Sequence, residues 1–422
     1  MTLHVCHLAK YYPPAAGGIE THVQALARGQ RELGLRVSVL VVNHRDASGR
    51  EVFDHRWRAT SATEDTDDGV RIIRAGRLCS ISKLDYCPKL PRTIRALQAA
   101  GPDHVDLLHL HNPNATMTLA LRTAGVSTPL VITHHSDVVK QRVLARGLEW
   151  LERRLLAKAD AILTTSPNYA AGSAQLRPFL DKVQSLPLGI DLAPFLHPSR
   201  EALEYRDELR RRFAAGPIWL AVGRLVYYKG LATAIEALPS IAGTLVIIGD
   251  GPLRRELERQ AVALGVAGRV AWLGKVSGDA LVGAYHAATA LLFPSNARSE
   301  GFGLVQVEAM ASGCPVINTN IPHSGVDWVC RHEESGLTIP IGSPVELAQA
   351  ANRLAQDKAL RSRLSEGAVR RACSLFSYDQ MARTSLEIYD RVLGGDVSKA
   401  AVATSTAGLQ SAARAASQVS TT

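Results

Sequence analysis

The segment Ile218–Leu238 reads IWLAVGRLVYYKGLATAIEAL. Ile218–Val222 is an apolar run of strand length. Gly223-Arg224 breaks it, Lys229-Gly230 closes a short turn, and Leu231–Leu238 resumes with apolar residues at helical spacing. Strand, glycine turn and helix in quick succession make one unit of a parallel α/β sheet. The pattern recurs downstream, with strands predicted at Thr244–Gly249, Arg269–Leu273, Ala290–Pro294, Pro315–Asn318 and Gly336–Ile339. Helices are predicted between them, at Leu253–Leu264 and Gly303–Ala311. Upstream it gives strands at Leu3–Leu8, Val37–Val42, Val105–Leu110, Leu130–Thr133, Ala161–Thr164 and Lys182–Pro187, with helices at Ile19–Leu33 and Gln141–Ala159. The strands are nearly continuous in apolar residues, as a sheet covered on both faces requires. Asn43–Asp68 is polar and irregular and predicts a long loop or an added hairpin.

The fold class is therefore α/β, with two doubly wound Rossmann-like domains facing across a cleft. Residues 1–187 form the first and 188–376 the second, joined by a linker at Pro187–His197. Residues 395–422 are built from Ala, Ser, Thr, Val and Gln and are expected to be disordered. Ligands of such sheets bind beyond the carboxyl ends of the strands, so the cleft is the expected site.

Composition narrows the class. The chain has 422 residues, 46% hydrophobic and 21% charged, which excludes a disordered chain and a coiled coil. No apolar run approaches the roughly 18 residues of a spanning helix. The opening MTLHVCHLAKYYPP has no secretory h-region, so a cytoplasmic protein is expected. Cys6, Cys79, Cys87, Cys314, Cys330 and Cys373 form no metal or disulfide pattern. Lys plus Arg exceeds Asp plus Glu by 48 − 39 = 9, which suits an anionic partner. No nucleic-acid-binding motif accompanies the charge, and no nucleic-acid partner is expected. Arg92–Arg95, Gln141–Arg154 and Arg206–Arg212 are candidates for peripheral contact with anionic headgroups, against ordinary solvated helix faces.

Several constellations carry chemistry. Arg224 and Lys229 follow a strand end and can both reach a diphosphate, Arg as a fork and Lys as a point charge. Gly17-Gly18 opens a helix whose N-terminus favours an anion, but no dinucleotide fingerprint is present. Gly249-Asp250-Gly251-Pro252 is a turn that a nucleotide could approach. Ser299-Glu300-Gly301-Phe302-Gly303-Leu304-Val305-Gln306-Val307-Glu308 places one carboxylate on a glycine-rich loop and a second about one turn into a helix. Glu300 could accept hydrogen bonds from sugar hydroxyls and Glu308 from a ribose. His109 and His111 end one strand, and His134-His135 follow another. Adjacent histidines on extended chain point opposite ways, so no metal ligand set is expected. Glu64-Asp65-Thr66-Asp67-Asp68 contains Asp-x-Asp, but no apolar strand precedes it, and a solvated acidic turn is expected.

Together PPAAGGIETHV, VGRLVYYKG, IIGDGPL and SEGFGLVQVEAMASGCPVI resemble the retaining glycosyltransferases of GT-B fold, family 4. The resemblance reaches to about Leu393. It implies a nucleotide-sugar donor on the second domain and an acceptor on the first. Carried over residue by residue, it implies that Arg224 and Lys229 hold the donor diphosphate, Glu300 the transferred sugar and Glu308 the ribose. It also implies that the amides of Phe302, Gly303 and Leu304 meet sugar or phosphate, and that Lys275 and Val276 contact the base. Gly18 would approach the diphosphate from the other domain. His135 matches the family histidine near the reacting sugar, with His134 as the competing assignment. Residues 377–394 would form a helix returning to the first domain. Ser324-Gly325-Val326-Asp327-Trp328-Val329 resembles members that transfer mannose or related sugars in polysaccharide assembly.

The implied reaction moves a hexosyl group, mannose favoured, to a glycan or polyprenyl-linked hydroxyl. It retains configuration and uses cationic side chains and a helix N-terminus in place of a metal, with no cofactor. The alternatives are a sugar-nucleotide 2-epimerase or sugar-phosphate synthase on the same fold, and a non-catalytic nucleotide-binding protein. Residues 43–91 carry no motif that identifies the acceptor.

Overall fold

The computed structural model describes residues 2–15, 17–44, 60–81, 84–136 and 145–395. These fall into two compact units. One holds the chain up to Thr164, Ala174–Gly189 and the chain from Tyr378. The other holds Thr165–Ser173 and Ile190–Ser377.

The first unit is built on β1 (His4–Leu8), β2 (Arg36–Val42), β3 (Thr63–Asp67), β4 (Val70–Ala75), β7 (Leu107–Asn112), β8 (Leu130–His134), β9 (Ala161–Thr164) and β10 (Val183–Ser185). Between β4 and β7, β5 (Cys79–Ile81) and β6 (Leu84–Tyr86) make a separate two-stranded hairpin. The main sheet runs β10-β9-β8-β7-β1-β2-β4-β3 and is parallel except at β3–β4. Its order reverses between β1 and β7, which opens a crevice at their carboxyl ends. The structure moves the strand read as Val105–Leu110 to Leu107–Asn112, so both His109 and His111 lie within it. In register, His7 stands beside His109 and His111 beside Thr133.

The acidic run is not a solvated turn. Residues 63–67 are an edge strand, and Asp67 accepts hydrogen bonds from Tyr12 OH at 2.6 Å, Gln24 Nε2 at 3.0 Å and Arg28 Nε at 3.0 Å. Arg74 Nε reaches Asp65 Oδ2 at 3.2 Å, and Arg71 pairs with Glu64 at 2.9 Å. Arginines on the neighbouring elements supply the charge balance that the local sequence lacks. Residues 45–59 of the expected loop lie outside the described residues.

The terminal helix Tyr378–Val392 belongs to the first unit. It packs Met381, Ile388 and Tyr389 into the core formed by Val23, Leu26, Val39 and Leu107. A Cβ on Gly29 would stand 2.9 Å from Ala382 Cβ, so the two helices touch through a glycine. The expected disordered tail, from residue 396, lies outside the described residues.

The second unit holds β11 (Ile218–Val222), β12 (Thr244–Ile248), β13 (Val270–Gly274), β14 (Ala290–Phe293), β15 (Val316–Thr319) and β16 (Gly336–Ile339). They form a wholly parallel sheet in the order β13-β12-β11-β14-β15-β16. Trp219, Leu245, Ile247, Leu292, Ile317 and Leu337 belong to the core on one face. The order reverses between β11 and β14. Thr165–Ser173 joins this unit. Arg298 Nη2 donates to the Tyr169 carbonyl at 3.1 Å, and Asn168 Nδ2 donates to Asp327 Oδ1 at 3.2 Å.

Candidate active site

The loops that leave β11 and β14 carry Arg224, Lys229 and Glu300. They meet because the strands are neighbours and the sheet order reverses there. After β11, Arg224 is exposed and its side chain makes no hydrogen bond or ion pair among the described residues. Arg224 and Lys275 line one open pocket of about 390 Å³ with Gly223 and Gly249–Gly251. Gly249 has φ +133, and a Cβ there would fall 1.9 Å from the Gly223 carbonyl oxygen. Only glycine lets the loops after β11 and β12 pack this closely. Val276 is half-buried beside Lys275.

Lys229 takes a different place. Its Nζ lies 2.6 Å from Glu300 Oε2 and 4.9 Å from the centroid of the Phe293 ring. Ser295 Oγ donates to the same carboxylate oxygen at 3.3 Å. The two charges are held in a buried pair, so neither is the free surface group that its sequence neighbourhood suggests. Glu300 thus stands on the β14 loop with a cation and a hydroxyl on its carboxylate, and the cation in turn lies over the Phe293 ring.

Phe302 is buried against Trp328 and Phe376, with ring centroids 6.5 Å and 5.6 Å away. Gly303, at φ +78, caps the helix Leu304–Ala311. The loop is braced from behind. Asn318 Nδ2 donates to Gln306 Oε1 at 3.0 Å and to the Val326 carbonyl at 3.0 Å, and Gly325 N–H donates to the Gly301 carbonyl at 2.9 Å. The Ser324–Val329 segment therefore shapes the Glu300 loop. On the helix, Glu308 accepts from Tyr285 OH at 2.6 Å. Burial raises the Glu308 pKa, opposed by the Tyr285 hydrogen bond and by Lys229, and the Tyr285 hydroxyl is pushed well above its ordinary range.

In the first unit, Gly18 is the first residue of the helix Gly18–Glu32. It is exposed, and a Cβ there would meet nothing within 4 Å. His135 follows β8 and joins a cluster of imidazoles that also contains His7, His22, His109 and His111. The expectation that no such set forms considered only neighbours in the chain. Parallel register across β1, β7 and β8 assembles the cluster instead. One nitrogen from each of His7, His109 and His111 lies within 4.8 Å of the others, and so does one from each of His22, His111 and His135. Both nitrogens of His7, His109 and His111 already have hydrogen-bond partners: Gln30 and His111, Tyr389 and Thr133, and His7 and His135. Burial lowers the His7 pKa to about 4 and that of His22 to about 3, and holds His109, His111 and His135 well below the ordinary value. The rings are neutral at pH 7.

The structure thus brings together Lys229 with Glu300, and Arg224 with Lys275. It sets Phe302–Leu304 and Glu308 along one loop and helix, and places His135 in the histidine cluster of the other unit. Ser295, Tyr285, Gln30, His7 and His22 were not singled out from the sequence. The recurrence of histidine at matched positions of two strands, His7 in β1 and His109 in β7, was the available signal for His7.

Two family models match the chain. "Glycosyltransferase Family 4" covers residues 16–194, and "Glycosyl transferases group 1" covers residues 206–371. The chain is 28% identical over 393 residues to the O-antigen chain mannosyltransferase C of Escherichia coli, covering 93% of this chain and 99% of that one. It is 34% identical over 273 residues to the D-rhamnosyltransferase WbpZ of Pseudomonas aeruginosa, covering 64% and 70%. Its fold matches a sucrose-phosphate synthase from Thermosynechococcus elongatus with TM-score 0.71 at 24% identity, over 93% of this chain and all of that one. It also matches Anabaena HepE, solved with UDP, with TM-score 0.71 at 19% identity, over 92% and 100%. Two α/β units with parallel sheets, charged loops at a switch point and these likenesses agree: the chain belongs to the family 4, group 1 glycosyltransferases of GT-B fold, hexosyltransferases that use nucleotide sugars.

Proposed function

We propose that the protein transfers a hexosyl group, mannose favoured, from a nucleoside diphosphate sugar to a glycan or polyprenyl-linked hydroxyl, with retention and without a metal. The observation that carries this reading is the grouping at the β11/β14 switch point. The Lys229–Glu300 pair joins the loops after β11 and β14, and Arg224, on the same β11 loop, lines a pocket with Lys275 from the loop after β13. Bond cleavage builds negative charge on the diphosphate and positive charge on the sugar. Arg224, Lys229 and the amides at the start of Leu304–Ala311 stabilise the first. Glu300 accepts from sugar hydroxyls and Glu308 from the ribose, while Lys275 and Val276 flank the base. His135 offers a ring nitrogen to a reacting hydroxyl. The names of the E. coli and P. aeruginosa relatives favour mannose or a related sugar.

No helix among the described residues is long and apolar enough to cross a membrane. The reading places the enzyme in the cytoplasm, with Arg206–Arg212 available to anionic headgroups. Within that segment, Arg206 is paired with Asp207 at 2.8 Å.

The test is a thermal-shift and turnover screen with GDP-mannose, UDP-glucose and ADP-glucose, with and without EDTA, followed by NMR of the product anomer. Stabilisation by GDP-mannose and an EDTA-insensitive α-mannoside support the reading. A shift with UDP-sugars alone overturns the donor, a β-linked product overturns retention, and loss of turnover in EDTA overturns metal independence.

A further inference from the structure

The proton positions in the histidine cluster follow from a single buried hydroxyl. Ser385, on the helix Tyr378–Val392, donates to the Ala382 carbonyl at 2.7 Å. A hydroxyl has one proton, so toward Gln30, 2.8 Å away, Ser385 can only accept. The end of the Gln30 amide that faces it is therefore the NH2 group, which also donates to Tyr389 OH at 3.0 Å. The Gln30 carbonyl oxygen is left facing His7 Nε2 at 2.8 Å, so His7 carries its proton there. His7 Nδ1 is then a bare lone pair and accepts from His111 Nε2 at 3.0 Å. His111 Nδ1 is bare in turn and accepts from His135 Nε2 at 3.2 Å.

A side branch follows the same logic. Tyr389 OH accepts from Gln30 and donates to His109 Nδ1 at 2.6 Å, and His109 Nε2 donates to Thr133 Oγ1 at 2.6 Å. Ser385, Gln30, His7, His111, Tyr389, His109 and Thr133 are all buried, so no water competes between them, and His135 at the end of the chain is half-buried. Among the described residues His135 Nδ1 has no partner. Burial keeps the rings neutral, which such a one-directional chain requires.

We propose that the terminal helix, acting through Ser385 and Gln30, fixes the proton of His135 on Nε2 and presents Nδ1 as a hydrogen-bond acceptor for a substrate hydroxyl. Gln30 is then a positioning residue for His135. Reversing the amide would reverse each imidazole and present an N–H donor instead. The functional half rests on His135 acting in the transfer, as proposed above. The proton assignment does not.

The test uses the full chain labelled with ¹⁵N-histidine, with ring signals assigned through single histidine variants. Expected at neutral pH are protonated Nε2 and bare Nδ1 at His7, His111 and His135, with nitrogen–nitrogen couplings across both imidazole hydrogen bonds. A protonated Nδ1 in any of the three overturns the assignment. Gln30→Met keeps the side-chain volume without an acceptor. It is expected to give mixed tautomers at His135 and to lower kcat at least about tenfold, as an imidazole in the wrong tautomer does, with KM for the donor nearly unchanged. Gln30→Glu keeps an acceptor and restores the His135 tautomer. Should Gln30→Met fail to fold, Ser385→Ala frees the amide and is read in the same way. Wild-type tautomers in both Gln30→Met and Ser385→Ala overturn the proposal. Unchanged transfer by His135→Asn removes the role of His135 in the reaction, while the spectra still decide where the protons sit.

Discussion

Lys229 Nζ and Glu300 Oε2 are 2.6 Å apart, with side chains only 13% and 10% exposed. They come from different loops, one after β11 and one after β14. Each neutralises a charge that would otherwise be desolvated alone, and this makes the loops one structural object. A buried pair costs most when one partner is removed. Lys229→Met is expected to destabilise the protein by about 3 kcal/mol. The double variant Lys229→Met/Glu300→Gln should recover much of that loss in urea denaturation while remaining inactive. Recovery of activity in the double variant would contradict the assignment of these residues to the donor site.

Arg224 differs because its side chain pairs with nothing among the described residues. Arg224→Ala should leave Tm unchanged and cost about 1.5–3 kcal/mol of donor binding, the worth of a charge-assisted hydrogen bond. That is a loss of roughly ten- to a hundredfold in kcat/KM, read by steady-state kinetics with the nucleotide sugar. Full activity in this variant would remove Arg224 from the diphosphate site.

Gly303 has φ +78, and a Cβ there would stand 2.6 Å from Phe293 Cζ. Gly303→Ala combines left-handed strain with a clash against a core ring. A loss of about 1–3 kcal/mol is expected, together with weaker nucleotide binding, because this residue starts the helix that carries Glu308. Phe293→Leu in the same chain should relieve the steric share only. Equal stability of Gly303→Ala and wild type by chemical denaturation would refute it.

Acid should destabilise the first unit. His7 and His22 are buried and neutral, with pKa values near 4 and 3, against an ordinary value of 6.5. Below pH 6.5 the unfolded chain binds protons that the folded chain refuses. The stability is therefore complete above about pH 6.5 and is lost as pH falls toward 4 and 3. The slope is about 1.4 kcal/mol per pH unit for each histidine. Neither His22 ring nitrogen has a hydrogen-bond partner among the described residues, so His22→Phe should flatten the slope between pH 6.5 and 5 at no cost at pH 7.5. Denaturant midpoints across that range decide it, and an unchanged slope would count against a buried, neutral His22.

Much was legible in the sequence because it is local. The alternation of apolar runs with glycine turns and helical spacing specifies parallel strands, since each strand must be apolar on both faces. The Ile218–Leu238 segment alone contains a strand, its turn and its helix. The loop Ser299–Gly303 followed by Leu304–Ala311 was readable for the same reason, as turn chemistry and capping act over a few residues.

The partners of those residues were not legible. Lys229 and Glu300 are 71 positions apart, and only the adjacency of β11 and β14 makes them a pair. Asp67 was read as a solvated acid because its arginine and tyrosine lie 39 and 55 positions away. The histidine cluster depends on the register that sets His7 beside His109, on the helix that brings His22 to the same place, and on a terminal helix 355 positions beyond Gln30. Composition and periodicity determine which elements form and which face each one buries. Strand order and register decide which charges meet and which imidazole nitrogen carries a proton, because those depend on contacts between segments far apart in the chain.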